Sequence, residues 1–192
     1  MKDDIKIYTA GAEDAQIIKD LINEMYGIEY EQRDCETIGK IVEKCEQVYV
    51  LVYQNDKVIG FAGATINSDE YVEFCNQTNT VIEYVYVKEK NRDFLVAYEL
   101  MKKLLEELIQ LGRTKAIMQV QTFNKERFLH YALSDKNIIN SFAAKRNEVE
   151  YEEQILLIND INECLKLSMR DYMKKTLLYA KQDNGLKINK EL

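Results

Sequence analysis

Apolar residues along this chain alternate between short extended runs and longer helical stripes. Ile5 to Thr9 reads as a first strand. From Ala12 to Tyr26, the residues Ala15, Ile18, Leu21, Ile22 and Met25 fall on one helical stripe, with Glu13 and Asp14 in an acidic first turn. Cys35 to Cys45 predicts a shorter helix carrying Ile38, Ile41 and Val42. Two strands follow, Gln47 to Tyr53 and Lys57 to Ile66, joined by the hairpin signal Asn55-Asp56. Asn67 to Asn79 is polar and reads as a loop. Thr80 to Val87 is dense in Val, Ile and Tyr, as expected of a central strand buried on both faces.

The clearest helix runs from Phe94 to Leu111, with Leu100, Leu104, Leu108 and Leu111 along its apolar face and Gly112 placed for a left-handed cap. Lys115 to Phe123 predicts a strand, Asn124 to Leu133 a helix, and Tyr151 to Ile158 a strand. Asp160 to Ala180 predicts a final amphipathic helix, followed by a frayed tail to Leu192. The order is β-α-α-β-β-β-α-β-α-β plus a C-terminal helix, with no internal repeat and no linker. It implies an α/β domain: a mixed central sheet of about six to seven strands with helices on both faces. Residues 1–159 form the expected domain body, and 160–192 a helix and tail belonging to it. Leu165, Met169, Tyr172, Met173 and Leu177 along that helix suit either a homodimer interface or a cap on the core.

Composition narrows the classes. A chain of 192 residues buries enough surface to fold without disulfide or metal. Its net charge of −7 argues against a sequence-independent grip on nucleic acid, and is compatible with a cationic substrate or with plain solubility. Cys35, Cys45, Cys75 and Cys164 form no close pair and His130 is the only histidine, so no zinc site is expected. No apolar run reaches membrane-spanning length, and the start Met1-Lys2-Asp3-Asp4-Ile5 has no signal-peptide pattern. The expectation is a cytoplasmic protein without metal, membrane or nucleic-acid partner.

Three places carry candidate chemistry. The first is the junction from Val87 to Ala97, where a buried strand feeds a polar turn and then the longest helix. Backbone N–H groups at a helix N-terminus suit a pyrophosphate, and Lys90 and Arg92 add positive charge; an ordinary β-α turn has the same look. The second is Asn124 and Tyr131, seven apart and on one side of a helix start, which also fits a helix cap and a core tyrosine. The third is Glu83, a carboxylate inside an otherwise apolar or aromatic strand. Burial there is costly unless the group is paired, hydrated or functional. Gln119 and Gln121 alternate on a neighbouring strand and could line the same polar pocket.

The element order and these residues resemble the GNAT superfamily of acyl-CoA-dependent N-acetyltransferases over about residues 5 to 158. The family signature is a strand ending in Val, then Arg or Gln, two free residues, Gly, one free residue, and Gly or Ala. Val87, Arg92 and Ala97 fit it; Leu95 stands where glycine is preferred, and Asp93 where it is frequent. The resemblance implies acetyl-CoA as co-substrate, bound by Val85, Val87, Arg92, Asp93, Phe94, Leu95, Val96, Ala97, Asn124 and Arg127. It further implies Glu83 as the base, Tyr131 as the acid that protonates the departing thiolate, and a small-molecule or peptide amine as acceptor. Acceptor choice in the family falls to the first helix pair and nearby loops, here Tyr26, Glu29 and Tyr30. A catalytically degenerate binding or regulatory module is the alternative that Leu95 and Asp93 raise.

Overall fold

The computed structural model describes residues 5–72, 79–121, 133, 137–146, 149–175 and 177–178. Contacts group the chain into two units, Met1–Arg113 and Thr114–Leu192. In the first, strands β1 (Ile5–Thr9), β2 (Gln47–Gln54), β3 (Lys57–Ser68) and β4 (Asn79–Val87) pair antiparallel in chain order. Helices α1 (Ala15–Tyr26), preceded by a 3-10 turn over Ala12–Asp14, α2 (Cys35–Glu43) and α3 (Phe94–Gln110) complete it. The second unit holds β5 (Ala116–Gln121), β6 (Asn137–Arg146), β7 (Val149–Ile158) and the short α4 (Ile161–Leu165), with β7 pairing antiparallel to both β5 and β6. The α/β class and the upper figure of six to seven strands are thus what the chain adopts.

Strand alternation divides the apolar residues of the first unit between two layers. Tyr49 and Leu51 of β2, Phe61 of β3 and Tyr84 of β4 turn toward one face. There they form a single core cluster with Ile18, Leu21 and Ile22 of α1 and Ile38 of α2. Val48, Val50 and Val52 of β2 turn to the other face and are buried. The helix α3 lies on that second face. It contacts all four strands, and its Glu107 carboxyl meets the side chain of Thr9, which sits opposite Val50 in the ladder. Its buried stripe of Val96, Leu100, Met101, Leu104, Leu105 and Leu108 follows the periodicity read from the sequence, except that Leu111, expected on this face, is the C-cap and exposed. Each such side chain contributes about 1.5–3 kcal/mol when fully buried. Gly112 ends this helix with φ +73°, as its place after the last apolar residue anticipated.

The β2–β3 turn also follows the sequence. Asn55 and Asp56 both take positive φ, 51° and 60°, the twist that a tight two-residue hairpin requires.

Three expectations need correcting. The final helix is not continuous from Asp160: α4 stops at Leu165, and residues 169–175 are helical again after a break. Ser168 causes the restart, accepting from the Asp171 amide at 3.2 Å and donating to the Asp171 carboxylate. The strand β6 was not anticipated, because Asn137-Ile-Ile-Asn-Ser-Phe-Ala-Ala-Lys-Arg146 lacks clean alternation and is held as a strand by its pairing with β7. Finally, β4 is not buried throughout, since Glu83, Val85 and Tyr86 are half-buried. Along the C-terminal helical residues Tyr172 is buried while Met173 and Leu177 are exposed. Among the described residues no helix is long and apolar enough to cross a membrane.

Gly63 is a tight point in this packing. A Cβ built there would lie 2.6 Å from the Tyr49 ring and 3.1 Å from the Tyr84 ring. These rings stack across the gap with centroids 6.1 Å apart. Gly63→Ala should therefore destabilise the fold by about 1–3 kcal/mol, measured by urea unfolding. An unchanged midpoint would show that the two rings can yield at no cost.

Candidate active site

Polar side chains gather at the end of the β2–β4 face where Gln47, Thr65 and Glu83 lie. The cause is an irregularity in the β3–β4 ladder. Gly63 pairs with Tyr84, but the next residue, Ala64, pairs with Ile82, so Glu83 is the extra residue of a β-bulge. A bulge breaks strict alternation and re-aims a side chain. Here it brings Glu83 to the side that Tyr84 already faces, where its Oε1 accepts from the Thr65 hydroxyl at 2.5 Å. Burial raises the Glu83 carboxyl above its ordinary range and Glu70 adds to this, while the Thr65 hydrogen bond and the Arg33 charge pull the other way. Burial prevails because desolvation disfavours the charged form more than the Thr65 and Tyr84 hydroxyls favour it.

Beside this carboxyl sits the connection between α1 and α2. The Tyr26 and Tyr30 rings stack at 4.0 Å, leaving Tyr30 50% exposed. Glu29 is exposed, and its carbonyl accepts from the Gln32 side chain at 2.6 Å. The connection is firmly held rather than loosely solvated. Glu31 is only 6% exposed, its amide donates to Asn23 at 2.8 Å, and its carboxylate receives both the Arg33 guanidinium and the Arg33 amide. Arg33 holds the Glu31 carboxyl below the usual range, since the charge-assisted bonds exceed the cost of burial. Neither Arg33, Gln47, Thr65 nor Tyr49 was singled out from the sequence. The available signal was Gln47 and Thr65 as polar residues on strands that are otherwise apolar.

The other candidate region follows β4. The Lys88 amide donates to the Ile59 carbonyl at 2.8 Å, so by alternation the amides of Val85 and Val87 point to the other edge of β4. Arg92 folds back, its Nε donating to the Val87 carbonyl at 3.1 Å. Asp93 is the N-cap of α3, and its carboxylate accepts from the Leu95 amide at 2.9 Å. The Ala97 amide goes to the Asp93 carbonyl at 3.2 Å, which leaves the amides of Phe94 and Val96 as the candidate donors of that first turn. The Leu95 side chain is 40% exposed and lies outward, while Val96 is buried on α3's inner face. A cavity of about 570 Å³ lies between the β2–β3 hairpin and residues 88–91, with Lys57, Lys88, Lys90 and Asn91 in its wall.

Of the remaining predicted residues, Asn124, Arg127 and Tyr131 lie outside the described residues. Gln119 turns to Glu153 on β7 at 2.5 Å, a bond within the second unit.

Residues 15–129, more than half of the chain, match the model of the acetyltransferase (GNAT) family. The chain belongs to the GNAT acetyltransferase family. No curated protein matches it in sequence. Among solved structures, the fold is similar to YncA of Salmonella typhimurium, solved with its cofactor acetyl-CoA: TM-score 0.62 at 13% identity, covering 86% of this chain and 96% of that one. A GNAT-family acetyltransferase of Streptococcus pneumoniae gives TM-score 0.62 at 14% identity, covering 80% and 98%. NAA60 of Arabidopsis thaliana in complex with a bisubstrate analogue gives 0.59 at 13% identity, covering 80% and 97%. Identities this low speak to the fold alone.

For this GNAT-family chain the environment of Glu83 makes a stability prediction with a definite sign. A carboxyl whose folded pKa lies above its unfolded value costs stability once it ionises. Glu83→Gln keeps an acceptor for Thr65 and removes that cost. The variant should be the more stable protein at pH 8, and the gain should vanish below the ordinary glutamate value of 4.5, where both states are protonated. Chemical denaturation across pH reads this; a gain independent of pH would contradict it.

Proposed function

We propose that this GNAT-family protein is an N-acetyltransferase that moves the acetyl group of acetyl-CoA to a primary amine. The observation that carries the reading is the half-buried Glu83 carboxyl at the β4 bulge, hydrogen-bonded to Thr65 and linked through Thr65 and Gln47 to Arg33 of the α1–α2 connection. Amines are protonated near neutrality and must lose that proton to become nucleophiles. A carboxyl whose affinity for protons is raised by burial suits that task. The stacked Tyr26 and Tyr30, with the exposed Glu29 beside them, favour a cationic acceptor through ring faces and negative charge.

The residues toward acetyl-CoA are consistent with its chemistry. The Val85 and Val87 amides would orient the thioester carbonyl and the pantetheine arm. The amides of Phe94 and Val96, with Arg92 and Lys90, would meet the phosphates. The family resemblance adds Asn124 and Arg127 on the same ligand and Tyr131 as the acid.

Acetyl-CoA supplies the acetyl group as a thioester. Glu83 accepts one proton from the ammonium, directly or through water. The N–C bond to the acetyl carbon forms and the C–S bond breaks. The second proton, shed as the amide forms, balances the one that Tyr131 gives the departing sulfur. No covalent enzyme intermediate is needed.

One observation favours a second reading, a binding module without turnover: the Asp93 carboxylate occupies the Leu95 amide and brings negative charge to the pyrophosphate turn. Calorimetry separates the two readings. Acetyl-CoA should bind, and Asp93→Gly should lower its Kd about 10-fold by freeing one N–H and removing one charge, with only a few tenths of a kcal/mol lost as a cap. No heat at millimolar acetyl-CoA from either protein would favour a role without this co-substrate. Thiol release from acetyl-CoA with a panel of polyamines, lysine peptides and aminosugars should reveal turnover, reduced about 10²–10⁴-fold in Glu83→Gln. Full turnover in that variant would remove Glu83 as the base.

A further inference from the structure

Glu83 is the end of a longer line of hydrogen bonds than the proposed reaction uses. The Thr65 hydroxyl that donates to it accepts in turn from Gln47 Nε2 at 2.8 Å. Gln47 Oε1 accepts from Arg33 Nη1 at 3.0 Å and from the Tyr49 hydroxyl at 2.8 Å. Arg33 is anchored to Glu31, and Lys19 Nζ donates to the Arg33 carbonyl at 2.8 Å. The line therefore starts at the connection between α1 and α2, crosses β2 and β3, and ends at the β4 bulge.

Its direction is fixed by chemistry. A guanidinium only donates, so the Gln47 oxygen must face Arg33 and its NH₂ must face Thr65. The Thr65 oxygen accepts from Gln47, and its single proton is directed to Glu83, as an ionised carboxylate with no proton to give requires. Every link runs from a cation toward the carboxyl. The arrangement matches an ionised Glu83, which only accepts, and opposes the burial that disfavours its charge.

We propose that Gln47 and Thr65 are positioning residues that hold the Glu83 carboxyl in one rotamer, favour its anion against burial, and tie it to the connection at residues 27–34 beside which the amine would bind. This rests on the reading of Glu83 as the base. The groups facing Glu83 are Arg33 from that connection, Tyr49 on β2, Thr65 on β3, Glu70 just after β3, and Tyr84 on its own strand. Of these, Thr65, Tyr84 and Arg33 favour the charged carboxyl and Glu70 opposes it, while Tyr49 is held neutral by burial.

The test reads Glu83 itself, without any acceptor. The full chain is labelled with ¹³C at glutamate carboxyls, the Glu83 resonance is assigned by its loss in Glu83→Gln, and its titration is followed in parent, Thr65→Val, Thr65→Ser and Gln47→Leu. Thr65→Val should raise the midpoint by at least about 0.5 pH unit, because it removes the donor that favours the anion. Thr65→Ser should restore the parent value, and Gln47→Leu should shift the midpoint upward by less. A purely structural role for Thr65 would change stability and leave the midpoint alone, and that result overturns the proposal. Should Thr65→Val fail to fold, Gln47→Leu carries the same decision. Failure of the base reading looks different: Glu83→Gln would then keep full turnover while these midpoints still moved.

Discussion

One constraint shapes the first unit: a carboxyl has been placed in a strand that otherwise serves an apolar core. Desolvating it is unfavourable, and the surrounding structure is arranged to limit that cost. The bulge turns Glu83 out of strict alternation toward Tyr84's face, where Thr65 can donate to it. Gly63 makes room beneath the Tyr49 and Tyr84 rings, which wall the same region. Tyr49 and Arg33 both donate to the Gln47 amide oxygen, which leaves its NH₂ to reach Thr65. Local irregularity, a missing side chain and a polar line thus have a common cause.

The α1–α2 connection belongs to the same economy. A run of charged and aromatic residues would ordinarily be a mobile, solvated link. Here Glu31 is buried under Arg33, Asn23 receives its amide and Tyr30 leans on Tyr26. An acceptor approaching Glu83 would meet a preorganised wall, so less binding energy would go into ordering it.

The sequence disclosed most of the fold because its periodicities were undiluted. The stripe of α3, the Asn55-Asp56 turn and Gly112 each carry a local signal that tertiary context did not overrule. The strand β6 escaped because pairing with β7, not its own composition, makes it a strand, and the break before residue 169 escaped because apolar residues continue through it. At the site, the oddity of Glu83 was visible as a charge among apolar neighbours, yet the bulge that aims it was not, since register is a property of two strands. Arg33, Gln47 and Thr65 stayed hidden for the same reason. They lie far apart in the chain and are unremarkable singly, and only the sheet brings them into line. At the other end the departures at Leu95 and Asp93 were both legible, and what the sequence alone did not show is that the Asp93 carboxylate takes the Leu95 amide.

The most direct measurement is the pH dependence of kcat/KM for acetyl transfer, taken on the parent protein and on Glu83→Gln with the same amine. With Glu83 as the base, the parent has an acid limb whose midpoint lies above the ordinary glutamate value of 4.5, and the limb disappears in the variant. The same limb persisting unchanged without the Glu83 carboxyl would contradict that role.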